Sequence, residues 1–189
     1  MAEYIISDTH FGHGNIIELG KRPFENVQRM NDLLIEKWNS RVTPRDTVYH
    51  LGDFGWKNTE YNLDILSRLR FKKLVLVCGN HDSAKTLRAF DQMGVQIQDY
   101  LEVATPKHNI RLCMFHYPLL EWNGFYRGAI HAHGHTHSKI FSEFPGRYNV
   151  CVEAIGYAPK SLATLETEHV EAVRIPQETR DGHEDHPRN

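Results

Sequence analysis

Apolar positions in the first half of the chain alternate between short runs and helical stripes. Tyr4 to Ser7 is a short apolar run that ends at Asp8 and His10. Val27, Met30, Leu34 and Trp38 recur at helical spacing, which predicts an amphipathic helix from Asn26 to Asn39. Thr47 to Leu51 reads as a second strand, closed by Gly52 and Asp53. Leu63, Leu66 and Leu69, with Ile65 beside them, mark a second helix, with Thr59 as its N-cap. Leu74 to Cys78 is continuously apolar, as a strand covered on both faces would be, and ends at Gly79, Asn80, His81 and Asp82. Leu87, Phe90 and Met93 form a third stripe, predicted to face the core, with Gly94 as its stop.

The second half reads as strand-rich. Candidate strands are Val95 to Val103, Ile110 to His116, Ala129 to His133 and Tyr148 to Glu153. Residues 162–175 read most simply as further strand, although Glu166, Glu168 and Glu171 also suit a short helix. From Pro176 the chain is polar and aperiodic, so residues 1–175 read as one domain and 176–189 as a mobile tail. Strand–helix–strand units followed by strands predict a layered α/β fold. Ligands of such folds gather beyond the carboxyl ends of the strands. Asp8, His10, Asp53, Asn80 and His116 all fall at such ends.

Composition adds one signal. The chain has 189 residues, 40% apolar and 24% charged, with a formal net charge of −2. That balance shows no basic footprint for bulk nucleic-acid binding. Thirteen histidines stand out, and histidine is the commonest metal ligand. The three cysteines, Cys78, Cys113 and Cys151, form no CxxC and read as reduced thiols of a cytoplasmic protein. No apolar run approaches the ~20 residues of a membrane helix, and the N-terminus does not resemble a signal peptide.

The polar strand ends run in the order Asp8-Thr9-His10, Gly52-Asp53, Gly79-Asn80-His81-Asp82, His116, and Gly134-His135-Thr136-His137. They offer oxygen and imidazole nitrogen without thiolate, a donor set that suits Mn, Fe, Zn, Co or Ni. Seven side chains exceed one tetrahedral site and suffice for two cations if one carboxylate bridges. Asp-x-His alone is weak, and any one of these motifs could serve a turn or cap. All five in order are a specific signal.

This ordered set resembles the calcineurin-like metallophosphoesterase family over roughly residues 3–160, most nearly the small prokaryotic members that begin as Ser7 to His13 does. The resemblance implies a single-domain, two-sheet αββα sandwich with its helices outside. It implies that Asp8, His10, Asp53 and His137 hold one divalent metal ion. Asp53, Asn80, His116 and His135 would hold the other, with Asp53 and a hydroxide bridging. His81 would protonate the leaving oxygen, and Asp82 would orient or polarise it. Two cations against two carboxylates and one hydroxide leave one net positive charge for an anionic ester.

The implied activity is metal-dependent phosphoester hydrolysis. A phosphodiesterase acting on nucleotides, cyclic phosphates or nucleic-acid ends leads, and a phosphomonoesterase follows closely. Asp53 is followed by Phe54-Gly55-Trp56 rather than an Asp-Arg-Gly pattern, which disfavours the protein phosphatases. The alternative is a non-catalytic interaction scaffold on the same fold, which predicts missing ligands.

Other residues carry lesser expectations. Arg22, with Pro23 and Phe24, Trp56, and Trp122 with Asn123 are candidate substrate walls, and His13 could reach the substrate, although an exposed loop is its simpler reading. His133 is expected to orient a ligand by hydrogen bonding. His131 and His50 read as structural, and His108, His169, His183 and His186 as exposed.

Overall fold

The structure, a computed structural model, describes residues 1–139 and 145–174. The tail proposed for 176–189, with His183 and His186, lies outside them. Nine strands and five helices follow one another as β1 (Glu3–Ile6), α1 (Ile16–Leu19), α2 (Val27–Arg41), β2 (Thr47–His50), α3 (Thr59–Arg68), β3 (Lys73–Val77), α4 (Ala84–Gln92), β4 (Gln96–Gln98), β5 (Leu101–Ala104), β6 (Arg111–Phe115), β7 (Ile130–His133), β8 (Arg147–Asn149), β9 (Lys160–Ser161) and α5 (Leu162–Arg174).

Two sheets result. The first has the order β4-β3-β2-β1-β9 and the second β5-β6-β7-β8. β1 to β4 are mutually parallel, with β9 antiparallel to β1. β6, β7 and β8 run parallel, and β5 runs antiparallel to β6. Alternate residues of the first sheet face two cores. Ile6, Val48, Leu74 and Leu76 pack under Met30, Leu34, Trp38, Ile65 and Phe90 of the helices. Ile5, Tyr49, Val75 and Val77 pack against Leu112, Met114, Ile130 and Ala132 of the second sheet. The chain is therefore the expected two-sheet α/β sandwich, and Leu74 to Val77 are buried on both sides. Trp122, Cys113 and Ala129 form a smaller buried cluster, with Leu119 and Phe125 packed on it.

The sheets are stitched together at one end. Ser7, just past β1, bridges to Cys151 just past β8. Ser7 N–H donates to the Val150 carbonyl (2.9 Å), and Val152 N–H donates back to Ser7 (3.1 Å). That end is where the strands deliver their polar residues.

Five expectations need correction. Residues 95–103 are two strands in different sheets, so the pattern concealed the crossover from one sheet to the other. Residues 162–174 form α5: Leu162, Leu165, Glu166 and His169 are the buried positions, a helical spacing of three, four and seven. His169 is accordingly buried, contacting the Gly128 carbonyl (3.1 Å) and Tyr148 hydroxyl (3.3 Å). The N-cap of α3 is Asn58, whose side chain accepts from Tyr61 N–H, with Thr59 one place inside. Met93 lies beyond the end of α4 and is exposed. Among the described residues no helix is long and apolar enough to cross a membrane.

Glu166 explains why α5 docks where it does. Its buried carboxylate accepts from the Thr105 hydroxyl, Lys107 N–H (3.0 Å) and His108 N–H (2.6 Å), which ties the helix to the turn after β5. Glu166→Ala leaves those donors without an acceptor and is expected to destabilise the fold by about 2–3 kcal/mol. The measurement is the urea midpoint at unchanged slope, and an unmoved midpoint would show that water replaces the carboxylate at no cost.

Candidate metal centre

Strands of both sheets lead into unusual backbone. Asp8, His10, Asp53, His135 and His137 all have φ between 49° and 66°. They are five of the eight non-glycine residues with positive φ among the described residues. The left-handed region is disfavoured for residues with a Cβ and persists only where surrounding structure enforces it. Here the loops zip together to enforce it. Asp8 N–H donates to Gly52, His10 N–H to Asp53 and Phe11 N–H to Phe54. Asp53 Oδ1 accepts from His81 N–H (2.8 Å), and Asp8 Oδ2 accepts from His135 N–H (2.9 Å).

Two glycines let the loops approach this closely. A Cβ at Gly79 would stand 2.2 Å from Asp53 Oδ1, and one at Gly134 would stand 2.3 Å from Asp8 Oδ2. Any side chain at either position would displace a carboxylate.

The structure brings all seven expected ligands together. Asp53 Oδ2 lies 3.5 Å from His10 Nε2 and 3.6 Å from His116 Nε2. Asp8 Oδ1 lies 3.7 Å from His10 Nε2 and 3.7 Å from His137 Nε2. Asn80 Oδ1 lies 3.0 Å from both His116 Nε2 and His135 Nδ1. Two overlapping groups emerge, Asp8 with His10 and His137, and Asp8 with Asp53 and His116.

The carboxylate–imidazole separations are too long for charge-assisted hydrogen bonds, which run about 2.7–2.9 Å. They lie at or just beyond the upper end of the roughly 3.0–3.6 Å that separates ligands about 2.0–2.2 Å from one cation. Asp8 Oδ1 and both ring nitrogens of His10 are buried without a hydrogen-bond partner. His116 Nδ1 is 2.7 Å from the Leu51 carbonyl and so carries its proton there. Its Nε2 then presents a lone pair beside the Asn80 oxygen at 3.0 Å, an arrangement that a shared cation would satisfy. On these grounds the donors present fit divalent metal ions.

Electrostatics support the same geometry. Burial alone would raise the pKa of Asp8. The adjacent His10 and His116 imidazoles and the Ser7 hydroxyl outweigh it, and the carboxylate is held well below its ordinary range. Burial opposes protonation of His137, but Glu153 bonded to its Nδ1 (3.0 Å) raises its pKa overall. Burial acts to raise the pKa of Glu153, and His137 and Arg22 lower it.

Several expected roles change. Arg22 is buried and faces no open wall. Its Nε donates to Glu153 (2.8 Å), and its two Nη groups donate to the carbonyls of Thr9 (2.9 Å) and Asp8 (2.7 Å). It braces the Asp8–His10 turn from behind. Asp82 does not reach the His81 ring; its oxygens accept from Asp53, Phe54 and Gly79 N–H and lock the Asp53 turn against the Gly79 turn. His133 donates Nδ1–H to the Gly134 carbonyl (2.9 Å), steadying the loop that carries His135 rather than a ligand ring.

His13 is buried, and burial with the neighbouring His10 and His81 pulls its pKa down to about 4. Trp122 is buried against the second sheet and donates to the Ala129 carbonyl, so it walls no substrate. His131 is structural as expected: it bonds the Cys113 carbonyl and Leu119 N–H, and burial lowers its pKa to about 4. His50 is fully buried as well, bonded to Thr9 Oγ1 (3.0 Å). His81 is exposed at the mouth, its ring 5.6 Å from that of His10.

The sequence reading missed Glu153 and Cys151. Glu153 joins His137 to Arg22, and Cys151 Sγ donates to Asp8 Oδ2 (3.2 Å). Their one sequence signal was position at the end of the last predicted strand, where the other site residues also cluster.

The comparisons with known proteins agree. The calcineurin-like phosphoesterase superfamily domain matches residues 1–150. The chain belongs to that superfamily, whose general chemistry is phosphoester hydrolysis. An uncharacterised protein of Methanocaldococcus jannaschii is 35% identical over 167 residues, covering 84% of this chain and 86% of that protein. The gene 66 protein of Mycobacterium phage D29 is 28% identical over 163 residues, covering 72% and 79% respectively. A protein of unknown function from Aquifex aeolicus has a solved structure that superposes with a TM-score of 0.67 at 27% identity, covering 88% of this chain and 98% of that one.

Glu153 is expected to fix His137 with Nε2 free for a metal. Glu153→Gln should lower Mn²⁺ affinity about 10–100-fold, the usual effect of losing such a partner, in calorimetric titration of metal-stripped protein. Unchanged affinity would remove Glu153 from that role.

Proposed function

We propose that this chain hydrolyses phosphoesters at a dinuclear metal centre, with phosphodiesters the favoured substrates and phosphomonoesters second. The observation that carries this reading is the single oxygen Asp53 Oδ2, which lies 3.5 Å from His10 Nε2 and 3.6 Å from His116 Nε2. On this reading Asp8, His10, Asp53 and His137 hold one ion, and Asp53, Asn80, His116 and His135 hold the second. Two divalent cations bound there would lower the pKa of a coordinated water toward ~7 and stabilise an in-line displacement at phosphorus.

The chain's own residues supply the rest. Asp8 and Asp53 contribute two negative charges, while the imidazoles and the Asn80 amide contribute none. With two divalent cations bound, the site would keep a net positive charge and draw in an anionic ester. His81 stands exposed beside His10 and donates a proton to the departing oxygen. Its backbone N–H on Asp53 Oδ1 ties the proton donor to the bridging carboxylate. Asn80, His81 and His135 are all exposed, so the mouth admits an ester with substituents on both sides of phosphorus, which favours diesters. A scaffold that had lost its chemistry would lack ligands, and no ligand position is vacant in this sequence.

The test is a panel of monoesters, linear diesters, cyclic nucleotides and short oligonucleotides, assayed with defined divalent metals. Metal-dependent turnover of diesters is expected, abolished by chelation and by Asp53→Asn. His81→Ala should keep its metal yet lose about 10²–10⁴-fold in kcat, most with poor leaving groups. A protein that binds two ions but turns over nothing on the panel would overturn the reading in favour of the scaffold.

A further inference from the structure

Two exposed aromatic residues bracket the polar cluster. Trp56 is 48% exposed and Tyr117 39%, whereas the other two tryptophans, Trp38 and Trp122, are buried. The Trp56 ring lies 4.9 Å from that of His81, which in turn lies 5.6 Å from His10. The Tyr117 ring lies 4.6 Å from His135 and 5.0 Å from His116. Trp56 thus adjoins the His81–His10 part of the cluster, and Tyr117 adjoins the His116–His135 part.

Trp56 is held in place rather than left loose. Its backbone N–H donates to the Phe11 carbonyl (2.9 Å), beside the bridge between Phe11 and Gly55. The buried His13 stacks on it at 4.1 Å with the rings within 9° of parallel. Leaving a fixed indole half open to water forgoes burial worth about 25 cal/mol per Å². A flat surface kept rigid beside an anion-attracting centre suits a flat substituent on the ester.

We propose that Trp56 and Tyr117 are aromatic walls that stack the nucleobases of a phosphodiester substrate, Trp56 on the leaving-group side and Tyr117 on the opposite side. The assignment of sides follows from His81, the proton donor to the leaving oxygen, which touches Trp56. Two walls fit an ester with two organic substituents, such as an internucleotide linkage. Stacking tolerates any base because every base has a π-face, so the walls set the class of substrate without reading sequence. This inference rests on the phosphodiesterase reading above.

The test combines binding and kinetics. Trp56 is the exposed tryptophan, so adenosine monophosphate should quench tryptophan fluorescence of the full chain, glycerol phosphate should not, and Trp56→Leu should lose the quench. The wild-type KM should be lower for a dinucleoside monophosphate than for an aliphatic diester. Trp56→Leu and Tyr117→Leu should each raise the dinucleotide KM roughly tenfold, with a smaller change in kcat, and Trp56→Phe should recover most of the loss. Equal wild-type KM values with no quench would overturn the walls, and turnover of both diesters would leave the phosphodiesterase reading intact. A quench that depends on Trp56 in a protein that hydrolyses neither diester would support the walls and end the phosphodiesterase reading.

Discussion

Asp8 and Asp53 are buried carboxylates, and their inward oxygens face imidazole nitrogens at distances too long for strong hydrogen bonds. Burying an uncompensated charge is among the most unfavourable things a protein interior can contain. His10 adds two buried ring nitrogens without partners. Such a cluster holds together only if positive charge is shared among its members. Cations bound there would offset that cost, because whatever binds the native state alone stabilises it.

The rest of the architecture serves that cluster. A sandwich of two sheets brings β1 and β8 within bridging distance at one end, so ligands from both halves of the chain meet there. Left-handed backbone at five of the expected ligand positions turns their side chains inward, and Gly79 and Gly134 leave space for the carboxylates. Behind the cluster, Arg22, Glu153 and Asp82 are bonded to its backbone or to its His137 ring. These three are charged residues facing away from solvent, and each acts by holding a turn or a ring in place. The chemistry and the stability of this end of the molecule therefore depend on the same contacts.

Much of this was legible in the sequence for a definite reason. Ligands at strand ends are marked by motif and by order, and a strand buried on both faces declares itself through continuous apolar residues. The two-sheet sandwich and the seven converging side chains followed from those signals. What could not be read lay in long-range geometry. The break between Gln98 and Leu101 carries the chain from one sheet to the other with little change in apolar pattern. In α5, Glu166 and His169 occupy buried positions, so polarity disguised the helical stripe that burial reveals. Arg22 has the residue type of a phosphate contact, yet it is buried because the carbonyls of Asp8 and Thr9 and the carboxylate of Glu153, 131 residues away, surround it. No local pattern encodes a partner at that separation.

The most direct test of the account is anomalous diffraction from crystals of the wild-type chain grown with Mn²⁺. The account predicts two peaks per chain about 3.5–4 Å apart, with Asp53 Oδ2 between them, His10 and His137 on one side and His116 and His135 on the other. A single peak, or ions bound away from Asp53, would contradict it.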